Sequence, residues 1–153
     1  MLNPFKYLQE KKSSFGNYWD ITEYYENNVG DCVDRLGSSG EILLGLDEDN
    51  PRNQKLHDAV VCSINVDFSK GGLDNESDIV VGYDLAHYQV FISYLGVEVF
   101  CFGQRGTFSP ILEVDVHELT LNNDLYEHRV LCHGSEQPLF VSCRDIRVEK
   151  ILK

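Results

Sequence analysis

Between Asp20 and Leu36 the apolar positions recur with helical spacing. With Ile21 at zero and about 100° per residue, Ile21, Tyr24, Tyr25, Val29, Cys32, Val33 and Leu36 gather on one side, and Asp20, Glu23, Asp31 and Asp34 on the other. The pattern predicts one amphipathic helix with an acidic outer face. Asp20 is suited to its N-cap, with Glu23 completing a capping box, and Gly37 to a left-handed C-cap. Gly30, on the exposed side, costs this helix about 1 kcal/mol relative to Ala. Ahead of it, Pro4 to Lys11 is expected to form a short helix that packs through Phe5 and Leu8.

After Ser38-Ser39-Gly40 the period changes to two. Glu41 to Leu46 reads as a short apolar strand, and Asp47-Glu48-Asp49-Asn50-Pro51 as an acidic loop that cannot continue it. Leu56 to Phe68 alternates, with Leu56, Val60, Cys62, Ile64, Val66 and Phe68 on one face and His57, Ser63, Asn65 and Asp67 on the other. Beyond a turn at Gly71-Gly72 and Asp74-Asn75, strands are expected at Ile79–Leu85, Tyr88–Leu95, Val97–Phe102, Ile111–Leu121, Tyr126–His133 and Leu139–Ile151. The last changes phase after Cys143, which points to a bulge near Arg144 and Asp145. The expected fold is α+β: an N-terminal amphipathic helix, or two, packed on an antiparallel, meander-like sheet of six to eight strands. Residues 1–153 are read as one domain, helical over 1–37 and β-rich over 41–152.

Composition adds a compartment and a charge distribution. The chain has 153 residues, 42% of them apolar, enough to bury one core without staples. No apolar run is long enough to span a bilayer, and the first residues lack a secretory layout, so a cytoplasmic protein is expected. The five cysteines are odd in number, widely separated and without a Cys-x-x-Cys pair, which fits reduced thiols better than disulfides or structural zinc. Between Ser13 and Asn50 nine acidic residues stand against Arg35 alone, placing −8 of the net −12 in one stretch. Such a face repels nucleic acid and anionic membrane and attracts a basic partner.

Candidate chemistry is sparse. His57 and Asp58 are adjacent on a predicted strand and so point to opposite faces, unless the backbone bends. His117, His128 and His133, with Glu113, Asp115 or Glu127, invite a histidine–carboxylate metal site, but His128 and His133 differ by an odd number of positions. Cys132-His133 is again an adjacent pair, and no Gly-x-Ser-x-Gly elbow occurs. Gly71-Gly72 lacks the Lys-Ser/Thr of a phosphate loop, and Gly103-Gln104-Arg105-Gly106 lacks the third glycine of a dinucleotide site. The expectation is therefore no catalytic residue, no metal and no cofactor. Phe15, Tyr18, Trp19, Tyr24 and Tyr25 overlap the acidic stretch, and rings of this kind serve either as interface anchors or as pins between helix and sheet.

Tyr18-Trp19-Asp20-Ile21, opening an amphipathic helix, resembles the start of small bacterial immunity proteins of contact-dependent inhibition and polymorphic toxin systems. Leu56-His57-Asp58-Ala59-Val60, leading into an alternating strand, is similar to a His-Asp-Ala-x-Val strand opening in other immunity-like families. The resemblance implies a cytosolic antitoxin, not an enzyme, that binds and neutralises a cognate toxin domain, often a nuclease. Charge agrees independently: a nuclease carries a basic cleft, and an acidic protein with aromatic anchors complements it. The partner surface is expected to include Trp19, Asp20, Glu23, Asp31, Asp34, Asp47, Glu48 and Asp49, with no direct contact to nucleic acid or membrane. Two other readings are a small β-rich enzyme or ligand-binding domain with a pocket lined by Tyr83, Tyr88, Phe91, Tyr94 and Phe100, and a subunit that docks through the acidic helix.

Overall fold

The sequence alternation from Ser77 onward is realised as a set of long antiparallel strands. The computed structural model describes residues 3–45, 56–67, 77–102 and 112–153. Its main sheet comprises β3 (Val60–Asp67), β4 (Ser77–Asp84), β5 (Tyr88–Cys101), β6 (Val114–Asn122), β7 (Leu125–Cys132) and β8 (Leu139–Leu152), in the order β3-β4-β5-β8-β7-β6. Ahead of these lie a hairpin of β1 (Gln9–Ser13) and β2 (Gly16–Asp20) and three short helices, α1 (Thr22–Asn27), α2 (Val29–Leu36) and α3 (Ser38–Leu43). The protein is thus mainly β, with a small helical part. Among the described residues no helix is long and apolar enough to cross a membrane.

The sheet is not one continuous meander. Two three-stranded meanders, β3-β4-β5 and β6-β7-β8, join through the long β5–β8 pair. The two outer strands then meet: Asp58 N donates to the Val114 carbonyl at 2.9 Å, Val114 N to Ala59 O at 2.8 Å and Val61 N to Leu112 O at 2.9 Å. With the Val60–Glu113 bridge, these bonds draw the sheet edges together into a closed barrel-like array. Ile79, Val81 and Tyr83 of β4, Val90, Ile92 and Tyr94 of β5, Val130 of β7 and Val141 of β8 are buried in its core.

Several local expectations are overturned. The helix expected over Asp20–Leu36 is two helices, broken at Asn28, whose backbone leaves helical geometry at φ −131°. The break is held by tertiary bonds: buried Asn28 donates through Nδ2 to Leu119 O of β6, and Leu119 N donates to the Tyr24 hydroxyl at 2.8 Å. Glu41 to Leu46 is expected as a strand, but Glu41 to Leu43 close α3, Leu44 and Gly45 form a turn, and Leu46 lies outside the described residues. Gly37 at φ 58° turns the chain out of α2 and into that helix, whose Leu43 then enters the core. The helix expected at Pro4–Lys11 is instead an extended arm running into β1. Glu118 is the reason: its buried carboxylate accepts the backbone N–H groups of Lys6, Tyr7 and Leu8 at 2.9, 2.7 and 3.0 Å, and these bonds straddle an arm that also buries Phe5 and Leu8.

The two strands expected at Tyr88–Leu95 and Val97–Phe102 are one, with Gly96 at φ 62° and a register shift between Val97 and Val99. That irregularity sits opposite the phase change of β8, where Cys143 and Ile146 are buried and Arg144 and Asp145 are exposed. In β3 a register shift between Val61 and Ser63 breaks the expected alternation, and Cys62 is exposed.

Two of the histidines weighed for a metal site, His117 and His128, are buried. His128 Nδ1 lies 2.6 Å from the Tyr94 hydroxyl and its Nε2 lies 3.0 Å from His117 Nδ1. Either direction of donation satisfies both links with neutral rings. Burial holds His117 down at about 4, and burial with the neighbouring His117 and Arg129 holds His128 well below its ordinary value.

In the unfolded chain these rings titrate near 6.5. Above that pH neither state takes up protons at them. As pH falls from 6.5 toward 4 the unfolded chain binds protons that the fold refuses, so stability falls with pH across that window, by up to about 3 kcal/mol for His117. Urea denaturation at several pH values should show this decline, and His117→Gln should flatten it by up to about 1.4 kcal/mol per pH unit.

The Glu118 clamp generates a second expectation. Glu118→Ala leaves three amides without their acceptor and should cost roughly 3 kcal/mol. Hydrogen exchange at Lys6, Tyr7 and Leu8 should accelerate together, ahead of exchange in the barrel.

Candidate functional site

The helices present acid to solvent for a simple reason: their apolar residues are drawn to the barrel. Tyr24, Val29, Cys32 and Leu43 are buried, which leaves Glu23, Glu26, Asp31, Asp34 and Glu41 exposed. None of these five forms an ion pair among the described residues. Asp20 differs. Lys11 Nζ lies 2.6 Å from its carboxylate and Thr22 N donates to it, and these bonds, Lys11 foremost, hold Asp20 down at about 2. Its charge is thus answered within the hairpin. Asp47, Glu48 and Asp49 lie outside the described residues.

The aromatic group divides. Tyr24 is buried, and the half-buried Tyr25 donates its hydroxyl to Leu44 O at 2.7 Å, so both act as helix-to-core pins. Trp19 is half-buried, with its indole N–H donating to Asp115 Oδ2 at 3.0 Å and its ring meeting Phe5 edge-on at 5.1 Å. It is a structural anchor between hairpin and barrel. Phe15 and Tyr18 are the exposed rings, 99% and 49% accessible, on a hairpin whose first strand is exposed along its whole length. The structure therefore brings Glu23, Asp31 and Asp34 onto the open surface, while Trp19 and Asp20 are occupied by intramolecular partners.

A second constellation forms where the barrel closes. Asp58 has φ 63°, a left-handed conformation in the turn before β3. That bend removes the strand geometry that would separate His57 from Asp58, and His57 Nε2 lies 3.5 Å from Asp58 Oδ1. Across the closure, the register shift between Val114 and Val116 leaves Asp115 as an extra residue in β6. Its carbonyl lies 2.7 Å from His57 Nδ1. From the end of β7, His133 N donates to Glu113 O at 2.9 Å, and its ring reaches three carboxylates: Nε2 is 3.6 Å from Glu113 and 3.8 Å from Asp58, and Nδ1 is 3.9 Å from Asp115. His117 and His128 take no part, being inside the barrel. The adjacency argument from sequence fails here because it assumes straight strands. A barrel closure and a left-handed Asp were the missing information.

Comparison with protein-family models, with curated proteins and with solved structures finds no match to this chain. The functional reading therefore rests on the surfaces themselves. Trp19 offers a direct check of how hairpin and barrel are joined. Trp19→Phe keeps an aromatic ring against Phe5 and removes only the donor to Asp115, and should cost about 1 kcal/mol in urea denaturation.

Proposed function

We propose that this protein is a cytoplasmic immunity protein that binds and neutralises a basic toxin domain, with a nuclease as the favoured class, through the acidic helical face. The observation that carries the reading is the set of exposed carboxylates Glu23, Glu26, Asp31, Asp34 and Glu41, none ion-paired among the described residues, on helices whose apolar sides are committed to the core. A basic active-site cleft is the complementary surface, and charge steering accelerates such encounters by about 10- to 1,000-fold over a neutral pair. Phe15 and Tyr18, on the neighbouring hairpin, add exposed aromatic area that an acidic face alone lacks. Trp19 and Asp20, expected at the partner surface, serve it indirectly by fixing the hairpin.

The ligand-binding alternative loses its main support, since Tyr83 and Tyr94, two of its five pocket residues, have no exposed surface. The test pairs the chain with a basic nuclease toxin domain whose expression alone arrests growth. Co-expression should restore growth. The Asp31→Lys/Asp34→Lys variant should keep the fold, slow association by about ten-fold or more at low salt, and flatten the salt dependence of the on-rate. Unchanged rate and salt slope in the variant would remove the acidic face from the interface.

A further inference from the structure

We infer that Asp58, Glu113 and His133 form a three-ligand site for a divalent transition metal, of the zinc type, at the barrel closure. One atom from each, a carboxylate oxygen from Asp58 and Glu113 and a ring nitrogen from His133, lies within 4.8 Å of the others. The two contacts of His133 Nε2, at 3.6 and 3.8 Å, are close to the edge of a coordination tetrahedron. Bonds of about 2.0–2.2 Å at the tetrahedral angle put neighbouring ligand atoms roughly 3.4 Å apart. Imidazole with two carboxylates suits zinc, cobalt or nickel better than calcium or magnesium, which favour oxygen alone.

The independent observation is the orientation of His57. The Asp115 carbonyl that meets its Nδ1 at 2.7 Å can only accept, so Nδ1 carries the hydrogen. That bond turns His57 Nε2 toward Asp58 Oδ1, 3.5 Å away, so a second imidazole nitrogen borders the cluster. That arrangement leaves the space beside Asp58 Oδ1 bordered by nitrogen and carboxylate oxygen, the donor types a transition metal takes. Among the described residues no Lys or Arg pairs with Asp58, Glu113 or Asp115, so no side-chain cation among them fills the place a metal would take. A histidine held through its other nitrogen by a backbone carbonyl is also how metal sites fix their ligands and near neighbours. Both Asp58 and His133 are exposed, so the site is open to solvent and keeps a coordination position for water or a partner's side chain.

This site shares no residue with the acidic helical face, so it stands or falls separately from the proposed function. The experiment is titration of chelator-treated protein with Co²⁺, followed by visible absorption and by fluorescence of Trp19, the only tryptophan and one already bonded to Asp115. One equivalent should bind and be displaced by Zn²⁺. His133→Ala and Glu113→Gln should each weaken it by about 10- to 100-fold or more, while His87→Ala, at an exposed turn, should leave it unchanged. Circular dichroism of each variant establishes that the fold is kept, and Asp58→Asn gives a third ligand change if either fails to fold. No saturable Co²⁺ binding by the wild-type chain, or binding indifferent to all three ligand changes, overturns the proposal.

Discussion

Three backbone hydrogen bonds, linking Asp58, Ala59 and Val61 to Leu112 and Val114, hold the two ends of the main sheet together, and much else follows from them. An open six-stranded sheet would leave the edges of β3 and β6 with unpaired donors and acceptors, a template for pairing with another chain. Closing it removes that hazard where the bonds reach. It also forces the bend that puts Asp58 at φ 63°, and it sets His57 and Asp58 against Glu113, Asp115 and His133. The polar constellation is therefore a product of closure. Neither strand holds it alone.

The closure is short, and β6 shows how the rest of its edge is satisfied. At Leu119 the peptide groups are served by side chains from the helices, with the N–H bonding the Tyr24 hydroxyl and the carbonyl accepting from Asn28. On the face next to this edge, Glu118 gathers the amides of the N-terminal arm. One strand thus organises the arm, the helices and the turn before β3. This explains why the helical segment breaks at Asn28. Residue 28 keeps its backbone bonds, donating to Tyr24 O at 3.1 Å and accepting from Cys32 N at 3.4 Å, and the bend at its φ positions its side-chain amide for β6 while both apolar faces still pack.

These dependencies decide what could be read from sequence. The strands β4 and β7, and β5 and β8 up to their irregularities at Gly96 and after Cys143, carry two-residue alternations, a pattern hard to satisfy otherwise. Segments whose conformation is set by a distant partner were misread. Glu41 to Leu44 is a short apolar run, which periodicity cannot assign, and Gly37 redirects it into a helix. Pro4 to Leu8 has helical spacing but meets a buried carboxylate more than a hundred positions away that captures its amides. The His57–Asp58 pair failed for the same cause: adjacency separates side chains only on straight strands, and the bend there comes from a strand pairing absent from local pattern.

The same argument separates the two surfaces in kind. The acidic face was legible because charge concentration is a property of composition: once the apolar positions of α1 to α3 are drawn inward, their carboxylates have nowhere to go but solvent. Its chemistry is diffuse, a spread of exposed carboxylates over three helices. The closure cluster is the reverse. Its residues come from three separate parts of the chain, and His57 is held there by a backbone contact to Asp115. A site built this way is specific in geometry, and it is sensitive to the register of β3 on β6. A shift of one residue at that seam would leave the acidic face untouched and would scatter the histidines and carboxylates. The two surfaces therefore answer to different constraints within one fold, the first to charge and the second to the hydrogen bonds that close the barrel.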